Sequence, residues 1–339
     1  MIFVDGESIS ISAPNSHLKG REIVELLLRN PTLIAASERL KSMPVRRFSI
    51  SPPWKHVYVL QREYATVDPA IVKLVGTDEA TTCVGLVIRN RYTGMTSVSH
   101  MDFPGVVDRG LAQMLQNLSD HEAAFDVHLV GAFDDSSTKH VVHSAGSKGN
   151  KIQKGYSLPL CCKIVEALQN SREEFHLQTL CILGHNTTTD SYGNAKPIVG
   201  GFWVDTSTGL MTPASFDTSS RCPDEIVRRV RVSVSSGDPT WDGKLLETYD
   251  THNDRFQIAA CSWMPSEWKR TALSLQRLSD TEILVQCSTS PSAEPPDFVE
   301  NQRRIWNYLI EYPDWSHTFP GRKPRVFERA ANGGWSRCG

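Results

Sequence analysis

Residues 82–100, TCVGLVIRNRYTGMTSVSH, restrict the fold more than any other stretch of this sequence. Two runs rich in β-branched residues flank a segment in which Asn90 and Gly94 supply turn chemistry, the pattern of a β-hairpin. Antiparallel pairing sets the start of the first strand beside the end of the second. Cys83 and His100 occupy those two ends, so the hairpin brings a thiol towards an imidazole. A free thiol ionises about 1.5 units above neutrality, and a nearby histidine can serve as base and lower that value. The ordinary fate of a cysteine is burial as a small inert hydrophobe, and most histidines are satisfied core or surface groups. The spacing leaves both readings open.

Around the hairpin the pattern is mixed. LKGREIVELLLRN and PTLIAASERLKSM read as two short helices, the second opened by Pro31, whose missing N–H costs nothing at a first turn. Apolar residues at 107, 111, 114, 115 and 118 form a helical stripe. WKHVYVL, IVKLVG, FDVHLVGAF and HLQTLCIL read as strands, and LPLCCKIVEALQN and PDEIVRRV as helices. PIVGGFWVDTSTGLMTPASF and LLETYDTHNDRFQIAACSW each contain a hairpin turn. Residues 134–157 are polar, rich in Gly, Ser and Lys, and aperiodic, which predicts a surface insertion. Near the end, the turn-rich CSTSPSAEPPDF leads into an amphipathic helix. No repeat emerges. The order predicts an α+β fold, with helices packed on mixed or antiparallel sheet; length alone suggests about two domains, but large single α+β domains reach this size, and one domain over 1–339 is expected.

Composition narrows the function classes. The 339 residues are 40% hydrophobic and 22% charged, enough for a large core without staples. A formal net charge of −2 gives no footprint for nucleic acid. No run of about 18 apolar residues predicts a membrane span, and the start lacks a secretory signal, so the expected location is the cytosol, with the nucleus also open. In that compartment the eight cysteines are expected as free thiols, and no C-x-x-C pair suggests zinc. His140 and His143 have no partners with metal-ligand spacing. No metal or cofactor is expected. CSTSPSAEPPDF reads either as a plain loop or as a wall for a small polar substrate, presenting hydroxyls such as Ser290 and one carboxylate, Glu294.

Four blocks, GTDEATTC, SVSHMDFPG, DVHLVGAF and CSTSPSAEPPDFVE, occur in an order that closely resembles the protein N-terminal asparagine amidohydrolase family. That family converts an N-terminal Asn of other proteins to Asp. The resemblance covers most of the chain, with TYD and SWMP as weaker links between the blocks. It implies that Cys83 is the nucleophile. A more remote likeness to chemotaxis-receptor and toxin deamidases implies a deamidase-like sandwich in which His100 is the base. Its orienting group is then Thr77 or a backbone carbonyl. The expected partners are proteins or peptides beginning with Asn, together with downstream enzymes of the N-degron degradation pathway. Two features depart from the animal members: the long 134–157 segment, and Ile2 where many have Pro.

The chemistry sets further demands. An amide is a poor electrophile, so the reaction needs a strong nucleophile, an oxyanion donor and a proton for ammonia. The Cys83 N–H with the Thr82 hydroxyl is the candidate oxyanion site. Selecting a chain terminus needs a carboxylate that meets a free α-ammonium, and Asp78, Asp102 and Glu294 are the candidates. Each can equally be a capping or turn acid. Two other readings stay in view: a Gln-directed deamidase or transglutaminase-like thiol enzyme, and a non-catalytic module that recognises protein N-termini.

Overall fold

The computed structural model describes residues 1–9, 16–48, 55–118, 123–136, 155–235, 237–238, 241–331 and 333–338. In it the two runs pair as expected. Strands Val84–Asn90 and Thr96–Met101 are antiparallel, with Gly85 opposite His100 and Val87 opposite Val98. Asn90 closes the turn: its Oδ1 accepts from the N–H groups of Tyr92 and Thr93, and Gly94 adopts a φ of +74°. Both faces of this hairpin are covered, which explains its nearly continuous apolar run. Val84, Leu86 and Ile88 enter one core; Val87 and Val98 enter another.

The hairpin lies inside an eight-stranded sheet. On one side of it follow Ala124–Phe133, Glu174–Leu183, Ile2–Val4 and Glu7–Ser8; on the other, Glu63–Val67 and Leu246–Glu247. Helices Ser16–Leu28, Val107–Gln116 and Ser157–Asn170 cover its outer face. Val107, Leu111 and Met114 of the expected stripe are buried there, each contributing about 1.5–3 kcal/mol. A five-stranded sheet packs on the inner face, ordered Arg46–Phe48, Met211–Phe216, Phe202–Asp205, Leu74–Thr77 and His56–Tyr58. Phe202, Val75 and Val204 meet Val87, Val98 and Val130 in the layer between the sheets. Helices Glu225–Ser235 and Phe298–Glu311 add to this second core, as does a four-stranded antiparallel sheet holding Phe256 and Phe327. The class is α+β, with mixed and antiparallel sheets in a sandwich.

Among the elements that escape the sequence pattern, three show why in their burial. Strand Glu63–Val67 opens on an acid, and its Glu63 is fully buried between Arg228 and Arg231. Helices Pro265–Leu275 and Asp280–Cys287 each bury a single residue, Ala272 and Ile283, which is too little periodicity to detect. Of the 134–157 segment, 137–154 lie outside the described residues, and so do His140 and His143. The flanks meet: the Asp135 carboxylate accepts from the N–H groups of Tyr156 (2.6 Å) and Ser157 (3.3 Å). No helix among the described residues is long and apolar enough to cross a membrane.

Candidate active site

Thr77 ends a strand of the five-stranded sheet, and Asp78–Cys83 cross from there to the hairpin under close control. Asp78 is held at both oxygens. Tyr58 donates to Oδ1 over 2.6 Å, while Phe216 N–H (2.7 Å) and Arg221 Nη2 (3.2 Å) donate to Oδ2. Glu79 sits at φ +62°, a costly conformation for a residue with a Cβ. Arg221 and Arg229 hold it there at 2.7 and 3.0 Å. Ala80 N–H donates to Gly200 O (2.8 Å), and Ala132 N–H donates to Cys83 O (2.7 Å). Gly131, at φ +117°, permits the last contact, because a Cβ there would lie 2.5 Å from the Cys83 carbonyl oxygen. The thiol therefore rides on a segment fixed at almost every residue, as precise chemistry requires.

Since Val84 pairs with Met101 and Gly85 with His100, Cys83 stands opposite Asp102 in register. Alternation puts Cys83, Gly85, His100 and Asp102 on one face, the one turned to the five-stranded sheet, with Cys83 and His100 as diagonal neighbours. Position 85 places no side chain between them. A Cβ there would come within 2.4 Å of Phe202 Cε1 and 3.4 Å of Thr77 Cγ2. Thr77 reaches across from the other sheet, and its hydroxyl is 2.8 Å from His100 Nδ1. His100 Nε2 is buried with no hydrogen-bond partner, Cys83 included.

Burial dominates the electrostatics. It lowers the His100 pKa to about 4, although the Asp102 and Glu63 carboxylates favour the cation. It also pushes the Cys83 thiol well above its usual value, and the charges of Asp102 and Glu294 push the same way. Arg62 and the Thr82 hydroxyl oppose them. The resting pair at neutral pH is thus an un-ionised thiol beside an un-ionised imidazole.

The two acids near the sulfur differ in their partners. Asp102 Oδ2 accepts from Arg62 Nε (3.0 Å), Arg62 Nη2 (2.7 Å) and Gln61 Nε2 (3.1 Å), whereas Oδ1 is buried and unpartnered. The Arg62 guanidinium lies over the Phe103 and Trp241 rings, and the Arg62 backbone N–H donates to His100 O (2.8 Å). Glu294 Oε1 accepts from Ser288 Oγ and, over 3.3 Å, from Ser290 Oγ; burial raises the Glu294 pKa to about 7. The same loop is fastened to the thiol segment, with Thr289 Oγ1 2.8 Å from Thr82 Oγ1 and Asp297 3.1 Å from Arg221. Beside the site a cavity of about 670 Å³ opens between Ala80–Thr81, Val199–Gly201 and Pro295–Pro296.

Cys83, His100, Thr77, Thr82, Asp102, Ser290 and Glu294 of the sequence candidates therefore gather at one end of the layer between the sheets. Asp78, the third candidate α-ammonium acid, has both oxygens engaged by Tyr58, Phe216 and Arg221, and it lines the neighbouring cavity rather than the face that carries Cys83. Sequence reasoning missed Glu79, Arg221, Arg229, Thr289 and Arg62. A signal for two of them was present in RCPDEIVRRVRV, where arginines interrupt a valine stripe. Among the described residues, no group of three His, Cys, Asp or Glu side chains is placed to hold a metal ion.

Comparison with known sequences adds an independent line. The profile of the protein N-terminal asparagine amidohydrolase family matches residues 46–337. Protein N-terminal asparagine amidohydrolase of Arabidopsis thaliana is 51% identical, with all of both chains covered. The proteins of that name from Sus scrofa and Mus musculus are 30% and 28% identical; the match covers 92% of both chains for the former, and 99% of this chain and 97% of the relative for the latter.

Proposed function

The chain belongs to the protein N-terminal asparagine amidohydrolase family, and from that premise we propose that Cys83 and His100 carry out the deamidation of an N-terminal asparagine. The observation that supports this most is the face shared by Cys83 and His100 across Gly85, with His100 Nδ1 fixed by Thr77 and Nε2 unpartnered. Thr77 Oγ1 accepting from Nδ1–H leaves the Nε2 lone pair free to act as base. The proton of Cys83 Sγ passes to Nε2, Sγ bonds to the asparagine Cγ, and the carbonyl electron pair moves to oxygen. The Cys83 N–H is the nearest candidate donor to that oxyanion, a contribution typically of about 3 kcal/mol. Collapse expels ammonia with the proton returned from Nε2. Water then attacks the thioester, giving its proton to His100, and Asp is released with the thiol restored.

Asp102 and Glu294 are the acids available for the α-ammonium. The product, a chain beginning with Asp, enters the N-degron pathway in this reading, which places the enzyme in the cytosol or nucleus with its substrates.

The test is ammonia release, and the accompanying mass change, on Asn-, Gln- and internal-Asn peptides. Cys83→Ala and Cys83→Ser should be inactive yet folded, and His100→Ala slower by orders of magnitude at neutral pH. An active Cys83→Ala variant would refute the thioester route.

A further inference from the structure

Asp102 presents a buried carboxylate oxygen without a partner on the face that carries Cys83, and the Glu294 loop is tied to the thiol segment through Thr289 and Thr82, near enough for the Glu294 charge to act on the same thiol. The Asp102 side chain is 5% exposed, and only its Oδ2 is matched by Arg62 and Gln61. Glu294 has one oxygen held by Ser288 and Ser290. Two acids around a buried sulfur, with an acceptor left over, form a receptor for a small cation that brings its own donors. We propose that the α-ammonium of the substrate's first residue is received between Asp102 and Glu294, and that its arrival is what activates Cys83.

This rests on Cys83 being the nucleophile and adds how that nucleophile is switched on. The negative field of Asp102 and Glu294 adds to burial in keeping the proton on sulfur, against Arg62 and the Thr82 hydroxyl. Glu63 and Arg229 act in opposite senses on His100, and Glu79 disfavours the charged form of Glu294. An ammonium group seated between the two acids offsets part of their field at the sulfur. Transfer of the thiol proton to His100 Nε2 then becomes easier, and one unit of thiol pKa multiplies the thiolate fraction about tenfold. An internal asparagine, or one on an acetylated terminus, carries no such cation and meets an un-ionised thiol. Terminus selection thus acts on reactivity as well as on binding.

The test separates reactivity from turnover. Carbamidomethylation of Cys83 by iodoacetamide is followed by peptide mass spectrometry at neutral pH, in the presence of glycinamide or N-acetylglycinamide. Glycinamide carries the ammonium but no side chain over the sulfur. It should speed alkylation about tenfold or more, whereas the acetylated analogue should not. Glu294→Gln, checked for folding by circular dichroism, should alkylate faster than wild type without additive and respond less to glycinamide. It should nevertheless lose kcat/KM on an Asn-initiated peptide, and Asp102→Asn should repeat the pattern. Unchanged or slowed alkylation with glycinamide overturns the proposal, as does wild-type kcat/KM in Glu294→Gln. If Cys83→Ala is inactive while glycinamide has no effect, only this inference falls; an active Cys83→Ala removes the underlying reading as well.

Discussion

Thr77→Val isolates a single hydrogen bond. Valine keeps the methyl that packs towards Gly85 and Phe202 and removes only the hydroxyl 2.8 Å from His100 Nδ1. His100 is 2% exposed, so Nδ1 has no easy replacement in water, and its Nε2 is already unpartnered. Leaving a buried polar group unsatisfied costs about 1–3 kcal/mol. If that hydroxyl fixes the tautomer and ring orientation needed in the transition state, the same loss lowers kcat by roughly 5- to 150-fold. KM should change little, because the hydroxyl points to the imidazole and not to a ligand. Steady-state ammonia release measures the first effect and urea unfolding the second; the two should agree in size. Thr77→Ser should stay within a few-fold of wild type. A folded Thr77→Val enzyme with unchanged kcat would show that the imidazole is oriented by something else.

Two further outcomes follow from the same coordinates of charge and packing. Glu294 has a folded-state pKa of about 7 against an ordinary 4.5, so its contribution to stability is complete below 4.5 and lost as pH rises through 7. His100, at about 4 against 6.5, behaves oppositely: its contribution is complete above 6.5 and lost as pH falls towards 4. Unfolding free energies of wild type minus Glu294→Gln should therefore fall with rising pH, and those of wild type minus His100→Gln should rise, each by at most about 1.4 kcal/mol per pH unit. Parallel profiles would contradict both environments. Separately, replacing 137–154 with a short Gly-Ser linker should leave ammonia release near wild type, because Asp135 already holds the two flanks together; a large loss would give the segment a part in the site.

The hairpin was legible because its two faces are both apolar and its turn needs Asn90 and Gly94, constraints that act within twenty residues. The same locality made the diagonal placement of Cys83 and His100 readable. The contact between Thr77 and His100 depends on how two sheets stack, and the sequence analysis could only offer the residue beside a backbone alternative. Asp78 and Glu79 were harder still. The acidity of Asp78 suggests a ligand and Glu79 drew no reading, while the ion-pair partners of both, Arg221 and Arg229, lie more than a hundred residues away. Nothing in a linear pattern distinguishes an acid that waits for a substrate from one matched by a distant guanidinium. Glu63 shows the same limit: a fully buried carboxylate looks like a loop acid until Arg228 and Arg231 close on it.

The clamp at Arg221 also sets an order of events during synthesis. It joins Asp78 and Glu79 to Asp297, and Asn301 touches Glu79 as well, so the last ties around the thiol segment form only after nearly the whole polypeptide has left the ribosome. Pairings between such remote positions form late in folding. A nascent chain at residue 250 would already carry its sulfur and imidazole, yet lack Asp297, Asn301 and the loop that ties Thr289 to Thr82.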